Sequence, residues 1–239
     1  MPRGTNVHGL PQSIVDAVAN GPYTGGGDGS ATKLIDAPQI ATLSRKHHDQ
    51  LVVDVSERVW SLLGQAVHTI LERAGLRQEG MIAEERLYAN VLGWRISGQF
   101  DVMHLESKKI SDYKVTTVYK SKGNDKWTQQ LNVLRWLAHQ NGNPVDELEI
   151  VAIFRDWRKT EAERNDDYPK AAIQAIKVPV WTLEEADEMI DTFVGGRGLR
   201  TTLYSVARFP QRKAWIGHNA AAQPPSGRFS LARAASMFW

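Results

Sequence analysis

Gly98-Gln99-Phe100-Asp101 and, after a short gap, Ile110-Ser111-Asp112-Tyr113-Lys114 decide the fold of this chain. Trp94, Ile96, Gly98, Phe100 and Val102 alternate as a strand should, and the second stretch is a short β-compatible run. The two are expected to lie side by side as one hairpin. Asp112 and Lys114 are two apart, so a strand turns both to the same face. Carboxylates that converge on one point repel each other unless a hard cation joins them, and oxygen ligands suit Mg²⁺ or Mn²⁺. A lysine beside such a cation can position a nucleophile or stabilise a phosphate, which is the equipment of metal-assisted phosphodiester hydrolysis.

Outward from that core the chain alternates helical and extended patterns. Residues 55–74 have helical apolar spacing at Val59, Leu63, Ala66 and Ile70, with His68 off that stripe. A lone histidine on a helix is more often structural or exposed than a ligand. Gly64 precedes it by one turn, and the missing side chain there would let the helix approach a sheet closely. Glu84 and Glu85 open the next strand region. Alternation puts them on opposite faces, so at most one can serve a site, and a solvated acidic pair is the plain alternative. Residues 123–140 read as a loop followed by a helix whose core stripe is Leu131, Leu134 and Ala138; Gln130 lies one turn before Leu134. Lys120, Lys122 and Lys126 stand close to Tyr119 and Trp127. Basic residues mixed with aromatics suit single-stranded nucleic acid, and a solvated lysine loop is the alternative.

Residues 148–154 read as a buried strand followed by Arg155-Asp156-Trp157, residues 158–170 as a charged surface loop, and residues 176–181 as a strand that Pro179 confines to a sheet edge. Thr182-Leu183-Glu184-Glu185 is a capping box that opens a helix to about Val194. Pro38 is expected to open a short helix to about His47. Residues 1–29, rich in Gly and Pro, read as a flexible arm. Gly25-Gly26-Gly27-Asp28-Gly29 lacks the preceding strand and the Lys-Ser/Thr ending of a phosphate loop. Residues 196–239 form an extension, rich in Ala, Pro and Ser towards its end, that suits a disordered tail, a basic DNA arm or a docking peptide equally.

With 239 residues, 42% hydrophobic and 23% charged, the chain has the composition of a globular α/β domain. A net charge of +2 does not by itself argue for nucleic acid, so any electrostatic footprint must be local. The absence of cysteine excludes disulfides and thiolate metal sites and fits a reducing compartment. No segment has transmembrane length and no apolar signal core opens the chain, so a cytoplasmic protein without a membrane partner is expected.

Asp101 with Asp112-Tyr113-Lys114 resembles the PD-(D/E)xK nuclease signature, and the surrounding motifs resemble its RecB/Cas4-like exonuclease branch, especially small phage-encoded members. Gly64-Gln65-Ala66-Val67-His68 is similar to the family's GxxxH helix, Ala83-Glu84-Glu85-Arg86-Leu87 to its acidic first motif, and Gln130-Leu131-Asn132-Val133-Leu134 to its QhxxY helix. Ser30-Ala31-Thr32-Lys33 through Pro38 is similar to the Ser/Thr-containing leading segment of the phage proteins. The ordered set runs from about Ser30 to Trp181. Leu134 departs from the family tyrosine, and the missing cysteines exclude the iron–sulfur cluster of some relatives.

The resemblance implies a restriction-endonuclease-like α/β core in residues 30–195, a mixed central sheet flanked by helices. It implies a Mg²⁺- or Mn²⁺-dependent DNA exonuclease serving phage recombination, repair or replication in the host cytoplasm. His68, Asp101, Asp112 and the Tyr113 carbonyl would hold the metal, Lys114 would act on the nucleophile or phosphate, and Glu84 would hold a second metal or its water. Gln130 would contact DNA or the lysine, and Lys120, Lys122, Lys126 and Trp127 would bind DNA. A single-strand annealing protein is the partner implied by analogy. An endonuclease on the same fold, a catalytically inactive DNA-binding module and a metal protein with a small-molecule substrate are the alternatives.

Overall fold

The computed structural model describes residues 3–19, 26–36, 43, 46–75 and 78–198. Chain order is β1 (Arg3–Thr5), α1 (Gln12–Ala19), β2 (Gly29–Ser30), α2 (Ala31–Leu34), β3 (Val52–Asp54) and α3 (Val59–Gly75). β4 (Met81–Ala83), β5 (Arg86–Val91), β6 (Trp94–Gln99), β7 (Val102–His104) and β8 (Lys109–Thr116) follow. The chain continues through α4 (Asp125–Gln140), β9 (Glu147–Phe154), α5 (Lys159–Arg164), β10 (Ile173–Val178) and α6 (Leu183–Gly198). The architecture is mixed α/β. A five-stranded sheet runs β10-β9-β8-β7-β4, with β8 and β9 parallel and the other pairs antiparallel. A three-stranded sheet runs β2-β6-β5, and β1 pairs with β3.

The two larger sheets are joined by one bent ribbon. β4 pairs with β7 (Ala83 opposite Val102) and β5 with β6 (Arg86 opposite Gln99), and the two registers are in phase. Glu84 therefore faces Asp101 at the bend. The Glu84 N–H donates to the Asp101 carbonyl at 2.9 Å, and Phe100 N–H donates to Glu85 at 3.4 Å. Glu84 takes a left-handed φ of 53°, a conformation that costs a non-glycine residue about 1–2 kcal/mol and that gathers at functional sites. The expected hairpin is thus corrected in detail. The strand with Trp94 and Ile96 pairs with β5, Asp101 sits at the corner, and the hairpin that carries the motif is β7–β8.

The core sits between the sheets and α4. Leu131, Val133, Leu134, Leu137 and Ala138 of α4 are buried, together with Phe100, Ile110, Leu148, Ile150 and Ala152. Gly98 is what lets β6 lie against this helix: a Cβ there would stand 2.5 Å from Leu134 Cδ2 and 2.6 Å from Leu137 Cδ1. Asn124 caps α4 by accepting from Trp127 N–H at 3.0 Å. Buried Asn132 donates to the Thr128 and Pro179 carbonyls and accepts from Trp181 N–H, tying the segment that leaves the edge strand β10 to α4. The Thr182 box forms as expected, with Thr182 and Glu185 exchanging side-chain and backbone hydrogen bonds. β10 lies at the sheet edge, and β9 alternates buried and half-buried residues along its length.

Three expectations need correction. The apolar stripe of α3 faces outward: Val59, Leu63 and Ile70 are exposed, while the Ser61, Gly64, Gln65, His68 and Leu71 side is turned in. The sheet surface beneath that helix carries charged groups, so its small and polar side packs inward. Residues 158–170 are not all loop. α5 forms there, and Lys170 Nζ bonds to the Ala162 and Asn165 carbonyls. Regular structure also occurs inside the stretch read as an arm, where β1 pairs with β3 and β2 with β6. The helix expected from Pro38 falls largely outside the described residues, as does the C-terminal extension. Among the described residues no helix is long and apolar enough to cross a membrane.

Gly98→Ala is expected to lower stability by roughly 1–3 kcal/mol, the usual penalty of overpacking, because the clash is with two buried leucines on a fixed helix. Its urea midpoint should fall with an unchanged m-value. A parental midpoint would mean that α4 is free to move away from β6.

Candidate metal centre

Three adjacent strands place three carboxylates in one row. Glu84 lies opposite Asp101, and the β7–β8 register (Val102 opposite Ser111), carried one residue further, sets Asp101 beside Asp112. The Tyr113 N–H donates to Asp101 Oδ2 at 2.6 Å and locks that corner. α3 delivers a fourth group from the side: His68 Nδ1 lies 3.3 Å from Asp101 Oδ1 and 3.6 Å from Glu84 Oε1. One ligand atom from each of His68, Glu84 and Asp101 lies within 4.8 Å of the others. Glu85 is exposed, as the two-residue period of a strand requires of one member of the pair.

Asp112 is almost completely buried. Its Oδ1 accepts from Gln130 Nε2 of α4 at 3.3 Å. Its Oδ2 touches Lys114 Nζ at 2.7 Å, an ion-pair contact without hydrogen-bond alignment, and has no other donor. A buried carboxylate oxygen without an aligned donor is costly, and a metal ligand is one group that would satisfy it. One nitrogen and several carboxylate oxygens around a common point fit a hard divalent cation.

Sequence reading missed the support for Glu84. Gln99 Nε2 donates to Glu84 Oε2, and Arg86, opposite Gln99 on β5, donates to Gln99 Oε1. The signal lay in the pairing of Ala83-Glu84-Glu85-Arg86 with Gly98-Gln99-Phe100-Asp101, which only the strand register reveals. Ser30, Thr32, Arg86, Gln99, Gln130 and Leu134 line a recess beside this group. Leu134 is part of the core.

The charges are strongly interdependent. Hydrogen bonding to Asp101, then to Glu84, raises His68 to about 10 against the opposing effect of burial. Burial pushes the Asp112 carboxyl up, and the Lys114 ammonium offsets part of that. Burial opposes the charge on Lys114, but Asp112 and Asp101 outweigh it and push that amine up.

The lysine turn follows β8 as a 3-10 turn, Val118–Lys120. Lys120 Nζ lies 5.8 Å from the centroid of the Trp127 ring, and Lys126 pairs with Asp36 at 3.3 Å. Lys122 is exposed. Trp127 requires correction as a base-stacking residue. It is 7% exposed and its ring belongs to the core, whereas Tyr119 in the same turn is 93% exposed. Asp156 Oδ1 accepts from Val118 N–H at 2.8 Å and anchors the turn, and Trp157 Nε1 donates to the Pro169 carbonyl at 2.7 Å.

No family model matches the chain, and no curated protein matches it. Among solved structures it is similar to the crystal structure of SSO0001, at 15% identity and a TM-score of 0.53, over 80% of this chain and 88% of that one. That likeness shows a shared fold. It is also similar, at 15% identity and a TM-score of 0.34, to a protein from Eubacterium rectale described as "Putative exonuclease", over 70% of this chain and 64% of that one. A likeness of that size carries no argument.

Without metal, the His68 proton should stabilise the fold. A histidine whose folded pKa is raised from 6.5 to about 10 contributes stability that is complete below pH 6.5 and lost as pH rises through 10. The metal-free protein should therefore lose thermal stability between those values, and His68→Gln should flatten that part of the profile. An equal slope in both proteins would mean that other groups set it.

Proposed function

We propose that this chain is a metal-dependent deoxyribonuclease of the PD-(D/E)xK type, in its RecB/Cas4-like branch, that hydrolyses phosphodiester bonds at DNA ends. The observation that carries the reading is the row of Glu84, Asp101 and Asp112, closed by His68 and followed one strand step later by Lys114. In this reading His68, Asp101, Asp112 and the Tyr113 carbonyl hold Mg²⁺ or Mn²⁺, and Glu84 holds a second ion or its water. The ion would polarise the scissile phosphate and lower the pKa of the attacking water.

The protein's own groups have separable tasks. Lys114, whose amine is pushed up, is a cation at neutral pH. It therefore donates hydrogen bonds to the nucleophile or to a phosphate oxygen and stabilises negative charge there. Gln130 fixes Asp112 by holding Oδ1, which leaves Oδ2 for the site. Gln99 and Arg86 set the Glu84 rotamer. The overall step is attack of water oxygen on phosphorus with cleavage of one P–O bond, giving a phosphomonoester and an alcohol. Lys120, Lys122 and Lys126 supply sequence-independent affinity for the backbone. A role in phage recombination, repair or replication, a host-cytoplasmic setting and an annealing-protein partner rest on the resemblance alone.

Chelator should abolish digestion of end-labelled linear DNA, and added Mg²⁺ or Mn²⁺ should restore it. Covalently closed single-stranded circles should survive; their cleavage would make the enzyme an endonuclease, and undiminished cutting in excess EDTA would refute the metal mechanism. Lys114→Ala should fold and bind metal by calorimetry yet lose turnover by a factor of roughly 10² to 10⁴, the range for one positioned electrostatic or proton-transfer group. Asp112→Asn should lose both metal affinity and turnover. Near-parental cleavage by Lys114→Ala would remove the lysine from the mechanism.

A further inference from the structure

Beyond Thr116, the last residue of the strand that carries Lys114, the sheet ends in a cluster of cations and exposed rings. Arg155 extends β9 past its last paired residue, its N–H donating to the Thr116 carbonyl at 2.9 Å, so its backbone lies three residues past Ala152, the β9 partner of Lys114, about 10 Å along the strand. The guanidinium carbon of Arg155 sits 4.1 Å from the centroid of the Trp60 ring. Trp60 is 54% exposed and lies on α3 eight residues before His68, about two helical turns along the axis. Burial, then the charges of Lys126, Arg155 and Lys114, push the Lys120 amine down, so that amine shares one electrostatic neighbourhood with the other three. Tyr119, beside it, is almost fully exposed on the turn that Asp156 anchors.

An exposed tryptophan presents a large flat apolar face to whatever binds beside it. Here the ring is stacked on a cation, next to further cations, at the end of the sheet nearest the candidate site. The partner this surface fits is polyanionic and carries flat apolar faces. Duplex DNA presents phosphates but buries its bases in the stack, whereas a single strand presents both. Rings at such sites stack on bases, and lysine and arginine neutralise the backbone.

We propose that Trp60, Arg155, Tyr119 and Lys120 form a gripping site for a single strand of nucleic acid leading to the metal centre. Trp60 with Arg155 forms one stacking platform and Tyr119 a second. The proposal rests on the nuclease reading above and deepens it by choosing the unpaired strand as the substrate form. Asp156 is a positioning residue, because it acts only by holding the turn that carries Tyr119 and Lys120.

The test is fluorescence anisotropy of full-length protein with labelled oligothymidylate and with a blunt duplex of equal length, in chelator so that neither is cut. Trp60→Ala should weaken single-strand binding by about tenfold or more, the scale of one lost base stack, with a smaller change for the duplex. Trp60→Phe should keep most of the affinity, which a merely structural loss would not explain. Arg155→Ala should lower the slope of log affinity against log salt by about 0.7, one phosphate contact on a single strand. Lys108→Ala, at the opposite end of β8, should match the parent. Single-strand affinity within twofold of the parent for Trp60→Ala, or an equal loss on the duplex, would overturn the proposal. A parent that binds the single strand but does not cut it in Mg²⁺ would sink the nuclease reading and leave the gripping site standing. A parent that cuts duplex ends but binds no single strand would do the reverse.

Discussion

The mutual repulsion of Glu84, Asp101 and Asp112 is the constraint to which the rest of this structure answers. Three carboxylates in one transverse row of a sheet, one of them almost completely buried, are unfavourable unless positive charge is brought to them. Two groups do so. Lys114 reaches Asp112 from the same strand, and His68 reaches Asp101 and Glu84 from a helix. The raised histidine expresses the same demand: the site holds a proton against the carboxylates of Asp101 and Glu84. A metal held by the same groups would compete with that proton, and its binding should release protons near neutral pH.

The surrounding architecture follows from that demand. The helix that carries His68 must lie against a charged stretch of sheet. It consequently turns Ser61, Gly64, Gln65 and His68 inward and leaves Val59, Leu63 and Ile70 in solvent. The bend that separates the two sheets falls at Glu84 and Asp101, where the left-handed Glu84 re-aims its side chain. On the other side α4 brings Gln130 to Asp112, and the close approach of Gly98 to Leu134 and Leu137 sets how near that helix can come.

This logic also explains what was legible in the sequence. Asp112 and Lys114 were readable because strand periodicity is short and strict, and Asp101 because it stood in a second extended run. α4, β9 and the Thr182 capping box were readable because their apolar spacing or cap chemistry is local. His68 became readable only through a motif, since the apolar stripe of its own helix pointed to the wrong face. Trp127 looked like a stacking ring because proximity in sequence to lysines says nothing about burial, and the helix it opens carries it into the core. The Glu84–Gln99–Arg86 chain was hidden because it depends on register between strands, a long-range property. Trp60 and Arg155 are nearly a hundred residues apart, and no window of the sequence brings them together.

Leucine at position 134, rather than a larger polar ring, has a physical reason. A tyrosine there would bring a hydroxyl beside the recess lined by Gln99 and Gln130, but it would also place a larger ring where Gly98 already lies within van der Waals contact of leucine. Leucine fills that space without a polar atom that needs a partner. Gln130 then supplies the amide contact to Asp112 from the helix alone, and nothing else in α4 has to reach the carboxylate. Gly98 and Leu134 are thus a matched pair. The core contact sets the distance between helix and sheet, that distance lets Gln130 hold Oδ1, and the held Oδ1 leaves the second oxygen of Asp112 turned towards Lys114.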